Sequence, residues 1–129
     1  MVLIVAILFN NVPAYFQVCK TDFGYNTETA KFLKVVQPSE EVELVSNHYM
    51  LGWTLFDYYY PRNEYSYDVD APYHLNTNYD EIWFFWWVNE LNESEIASIN
   101  QQHYDVEKLY SGVLGDGAYY HVYKLTRIE

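Results

Sequence analysis

The run Ile82-Trp83-Phe84-Phe85-Trp86-Trp87-Val88 limits the fold more than any other segment, because it contains no polar residue. A strand with one wet face alternates apolar and polar positions; a short continuous apolar run reads as a strand covered on both faces. Such a strand belongs in the middle of a sheet, with other strands on either side and further chain packed above and below it.

The flanking segments supply candidates. Asn26 or Thr27 can cap a helix with Ala30, Leu33 and Val36 on its inner face, ended by Pro38. Val42, Leu44 and Val45 predict a short strand. Ser46 or Asn47 then predicts the cap of a second helix, with Tyr49, Trp53, Phe56 and Tyr60 as its stripe and Pro61 as its stop. Tyr65, Tyr67 and Val69 alternate with polar residues, the pattern of a half-exposed strand. A polar loop runs from Asp70 to Asp80. After the apolar run, Asn92 and Glu95 form a capping-box pattern for a third helix, with Ile96 and Ile99 inside. Val106 to Leu114 and Ala118 to Ile128 read as strands joined by a hairpin turn at Asp116-Gly117. Strands that alternate with helices predict an α/β fold of three layers. Its sheet of about five strands is mainly parallel, has helices on both faces and ends in an antiparallel C-terminal hairpin as an added edge.

The chain starts with nine apolar residues, Met1 to Phe9, and carries no charge before Lys20. A membrane span needs about 20 residues, and nine make a helix of only about 14 Å. No basic region or small-residue cleavage site marks a signal peptide. Residues 1–10 therefore read either as an apolar stub, the end of a transmembrane helix, or as a buried first element. Residues 11–129 form a single soluble α/β domain. The apolar start also offers a route to oligomers.

Half of the 129 residues are hydrophobic, which excludes disorder. The net charge is −11, and between Arg62 and Lys108 the chain has ten carboxylates and no Lys or Arg. That surface repels phosphate backbones and anionic lipid headgroups, so nucleic acid is not an expected partner. The lone Cys19 permits no internal disulfide and is silent about compartment. Fifteen tyrosines give many rings with a polar tip, suited either to half-wet strands or to stacking against sugars.

Motifs for catalysis are weak. The turn after the first predicted strand, Ser46-Asn47-His48-Tyr49, has no glycine with which to approach a phosphate. Asp68-Val69-Asp70 matches the Asp-x-Asp pattern by which two carboxylates share a divalent cation, as a small metal-dependent enzyme would use. It has no further acidic ligands nearby, and a solvated loop is the alternative. His48, His74, His103 and His121 lack zinc-ligand spacing, and no Gly-x-Ser-x-Gly elbow occurs. No catalytic residue, metal or cofactor is assigned. In open α/β sheets, ligands favour the crevice beyond the carboxyl ends of the strands. The candidate contacts are therefore Tyr73, His74 and Tyr79 of the polar loop, Asp68 and Asp70 at its start, and His48 of the neighbouring turn.

One resemblance covers nearly the whole chain. It rests on the apolar start flowing into Asn10-Asn11-Val12-Pro13-Ala14-Tyr15-Phe16, and on Leu51-Gly52-Trp53-Thr54-Leu55-Phe56-Asp57-Tyr58-Tyr59-Tyr60-Pro61. Ile82 to Trp86, Leu91 to Ile96, and Gly112-Val113-Leu114-Gly115 ahead of Tyr119 to Leu125 complete it. The pattern resembles the C-terminal extracytoplasmic domain of bacterial membrane glycosyltransferases related to the dolichyl-phosphate-mannose protein mannosyltransferases (glycosyltransferase family 39). The resemblance implies a non-catalytic tail on the extracytoplasmic face of the bacterial cell membrane. Its partners would be the membrane part of the transferase, or the bilayer through residues 1–9, and a glycan. The family's catalytic acid lies in membrane loops that this chain does not contain, so none is carried over. The alternative is a stand-alone carbohydrate- or protein-binding module.

Overall fold

The computed structural model describes residues 27–51, 55–114 and 118–128. The apolar start, the connector after it, Trp53 and the Asp116-Gly117 turn lie outside the described residues. The elements in chain order are α1 (Thr27–Val35), β1 (Glu43–Ser46), α2 (Asp57–Tyr59), β2 (Tyr65–Tyr67), a 3-10 turn (Ala71–Tyr73), β3 (Glu81–Trp87), α3 (Glu93–Gln101), β4 (Tyr104–Leu114) and β5 (Ala118–Arg127). The five strands form one sheet in the order β2-β1-β3-β5-β4.

The apolar run does occupy the middle. β3 pairs with β1 on one side and β5 on the other, and Ile82 to Trp86 are all buried. Because successive side chains alternate, the strand feeds two cores. Trp83 and Phe85 join Leu33, Leu44, Leu55, Phe56, Tyr60 and Val122 on one face. Ile82, Phe84 and Trp86 join Val45, Leu91, Ile99, Tyr104 and Leu125 on the other.

The three-layer, mainly parallel α/β expectation is overturned. β1 runs parallel to β2 and β3, but β5 is antiparallel to both β3 and β4, and its two ladders are the longest in the sheet. The described helices are few and short, so the fold is mostly sheet. Alternation of strands and helices misled because α3 carries β4 to the far edge, leaving a gap beside β3. The returning strand β5 fills that gap. The hairpin thus adds its first strand as the edge and its second strand as interior, where Tyr120 to Tyr123 are buried.

Smaller corrections share one cause, that tertiary contacts claimed the side chains. Ser46 accepts a hydrogen bond from the His48 amide (3.0 Å), and Asn47 Oδ1 accepts from the Trp87 amide (2.6 Å). Neither caps a helix. In the expected stripe, Phe56 and Tyr60 are buried but Tyr49 points to solvent. β2 is a three-residue edge strand exposed throughout rather than on one face, and Val69 lies beyond its end. The capping box of α3 is present in both directions: Asn92 Oδ1 accepts from the Glu95 amide (2.8 Å) and Glu95 Oε1 from the Asn92 amide (3.0 Å). Among the described residues no helix is long and apolar enough to cross a membrane.

Candidate functional site

The connection from β1 to β2 packs Leu51, Leu55 and Phe56 on one face of the sheet. The connection from β2 to β3 packs Ala71, Leu75 and Tyr79 on the other. The two connections cross opposite faces of the sheet, the second passing β1 to reach β3, and the crevice between them opens at the carboxyl ends of β1 and β3. At that end the structure gathers aromatic rings. Tyr67 meets Tyr49 edge-on (ring centroids 6.4 Å, 79°), Tyr49 meets His48 (5.5 Å), and His48 lies over Trp87 (4.7 Å, 30°). The row follows β2, β1 and β3 across the sheet, and its next member is Tyr120 of β5, whose hydroxyl is 2.6 Å from His48 Nδ1.

The Trp87 end of the row is built to stay in place. Asn47 grips the Trp87 backbone with both ends of its amide, accepting from its N–H and donating to its carbonyl (3.5 Å). Val88 then takes a left-handed conformation (φ 67°), a strained one for a β-branched residue. Its amide donates to the Tyr119 carbonyl (2.7 Å), and His121 Nε2 lies 3.1 Å from the Val88 carbonyl. His121 Nδ1 in turn lies 2.7 Å from Ser111 Oγ. Backbone strain of this kind clusters where a structure holds a functional group in place. Despite these restraints the outer rings remain open: Tyr49 is 69% exposed, Tyr67 55% and Trp87 39%.

Beside the row is a cleft of about 130 Å³ lined by Ser46, His48, Tyr49, Phe56, Tyr65, Ser66 and Tyr67. Burial, and then a hydrogen bond to Asp57, raise the Tyr65 hydroxyl above its ordinary pKa. Among the described residues the cleft lining contains no Lys or Arg.

The six residues expected from the sequence do not form one site. Asp68, Asp70 and His74 do come together: Asp68 Oδ2 is 2.8 Å from His74 Nε2, and its Oδ1 accepts the Asp70 amide (2.9 Å). They sit on the face opposite the aromatic row, beside a small cavity with Val45, Ala71 and Phe84. Asp68 is thus engaged by its own loop, and no cluster of three metal-ligating side chains occurs among the described residues. Tyr73 is exposed in the 3-10 turn. Tyr79 is at the other end of the sheet, where its carbonyl accepts from the Tyr104 hydroxyl (2.6 Å) and from Arg127 (3.2 Å). A connection between parallel strands must return the length of the sheet, so only its first residues share an end with His48. Sequence reasoning missed Tyr49, Tyr67, Trp87 and Tyr120. The available signal was that Trp87 closes the apolar run and His48 follows β1, which places both at one end once the strands are parallel.

Comparison of the chain with protein-family models, with curated proteins and with solved structures finds no match in any of the three.

Proposed function

We propose that this chain is a non-catalytic glycan-positioning domain, the extracytoplasmic tail of a membrane glycosyltransferase. The observation that carries the reading is the row Tyr67, Tyr49, His48 and Trp87, anchored at His48 and Trp87 and open at its outer rings. Sugars bind proteins by laying the apolar face of the ring on an aromatic side chain while their hydroxyls meet polar groups at the rim. Tyrosines supply both groups at once, and rings already held in position lose little entropy on binding. The resemblance to the family 39 tails supplies the setting: a membrane partner, or the bilayer itself, reached through the apolar residues 1–9, with the domain on the extracytoplasmic face.

The test is a glycan array probed with the full chain, followed by NMR titration of any oligosaccharide retained. Binding that disappears in a Trp87→Ala, Tyr67→Ala double variant is the expected result. Absence of binding to every glycan would remove the proposal.

A further inference from the structure

We infer that the cleft beside the aromatic row takes an uncharged pyranose and rejects acidic and phosphorylated sugars; the inference rests on the glycan-binding reading above and narrows it to a ligand class. Two independent observations carry it. The first is shape. Tyr49 and Tyr67 stand nearly perpendicular (79°), and both are more than half exposed. Together they form a corner whose one wall can stack on the face of a sugar ring while the other meets its edge. His48 closes the back of the corner and is held there by Trp87 and Tyr120.

The second is charge. A site for a uronic acid or a sugar phosphate needs a cation or a set of directed amides to replace the anion's water. Among the described residues the cleft lining has neither Lys nor Arg. The formal charge bonded to a lining residue is negative: Asp57, on the Tyr65 hydroxyl. The sequence from residue 63 to residue 107, which supplies Tyr65, Ser66 and Tyr67 to the lining, contains ten carboxylates and no Lys or Arg. An anionic ligand would be desolvated against like charges, whereas hydroxyls can donate to Asp57 and exchange hydrogen bonds with the tyrosine hydroxyls.

The experiment is an NMR titration of the full chain with two sets of small sugars. Mannobiose, cellobiose and chitobiose are neutral; a glucuronic-acid disaccharide and mannose 6-phosphate are anionic. Expected are shifts at His48, Tyr49 and Tyr67 with at least one neutral sugar, and binding at least about tenfold weaker for the anionic probes at low salt, a gap that narrows as salt screens the rim. Tyr67→Ala should abolish the shifts and Tyr67→Phe should retain most of them; Tyr67 is at the surface, so neither variant threatens the fold. Equal or tighter binding of an anionic probe would overturn this inference and leave glycan positioning standing. So would neutral-sugar shifts that persist in Tyr49→Ala and Tyr67→Ala. Silence from all the probes would overturn this inference, and only silence from every glycan of the array would remove glycan positioning as well.

Discussion

Two residues show how side-chain identity and backbone demand diverge in this protein. Val88 holds φ 67° at the end of β3, where a left-handed L-residue pays about 1–2 kcal/mol in steric energy. Its side chain is half exposed, so little packing is lost with it. Val88→Gly should therefore stabilise the protein, by about 0.5–1 kcal/mol after allowing for the greater freedom of glycine in the unfolded chain. Urea denaturation reads this directly, and a loss of stability would show that the turn is not strained. Gly112 is the converse case. A Cβ there would lie 2.6 Å from ring carbons of Tyr110, which stacks on Phe32 (4.4 Å, 13°). Gly112→Ala should cost about 1–3 kcal/mol by pushing that ring off its partner. The cost should fall in a Tyr110→Leu background, and an unchanged cost would place its origin elsewhere. Neither residue was legible in the sequence, because both depend on strand-end and bulge geometry rather than on composition. The same holds for the site. His48 was identifiable from its place after a strand, but Tyr49 has the spacing of a helix stripe and Trp87 the character of a core strand. Only the return path of the Asp70–Asp80 loop separates Tyr79 from them.

Among the elements, β3 is the one on which the others depend. Phe84 is fully buried and stacks on Trp86 (5.0 Å, 20°) within the face that also holds Ile99 and Leu125. Phe84→Ala should cost about 3–5 kcal/mol, measured by chemical denaturation. A change under about 1 kcal/mol would mean that the strand is not central. This element was legible, since seven apolar residues in a row have one economical explanation. The capping box of α3 was legible too, because its hydrogen bonds close within four residues, Asn92 to Glu95. What could not be read was the order of the strands. Local pattern marks where β4 and β5 begin and end, but not that β5 inserts beside β3. Nor does it show the bulge between Lys108 and Tyr110 that shifts the register, so that Leu109 and Tyr110 both pack against the same core. Those choices are fixed by packing between residues distant in sequence, such as Trp86 opposite His121.

For the molecule as a whole, the excess of carboxylates sets the response to pH and salt. A net charge of −11 makes the compact state repel itself. Glu43 adds a local component. Burial raises its pKa, the Asn76 amide bond lowers it (3.2 Å), and the nearby Glu64 raises it again, with an upward net. A carboxyl group whose folded pKa exceeds its unfolded value of about 4.3 binds its proton more tightly when folded. Its stabilising contribution is complete below the unfolded value and is lost as pH rises through the folded one. Glu90 acts in the opposite sense: the hydrogen bond from Lys108 lowers its pKa, so its contribution is lost on acidification, but the pair is at the surface and its effect is small. The protein should therefore melt at a higher temperature near pH 5 than at pH 7. About 1 M salt should narrow the gap by screening the general repulsion. Glu43→Gln keeps an acceptor for Asn76 and removes the charge. It should raise the melting temperature at pH 7 by an amount worth less than about 1 kcal/mol, since Glu43 is only partly buried, and the gain should fade toward pH 4. Thermal melts of wild type and variant across that range test the argument. A wild-type melting temperature that falls steadily from pH 7 to pH 5 would mean that carboxylate ion pairs such as Arg62–Glu40 and Lys124–Glu81 outweigh the repulsion.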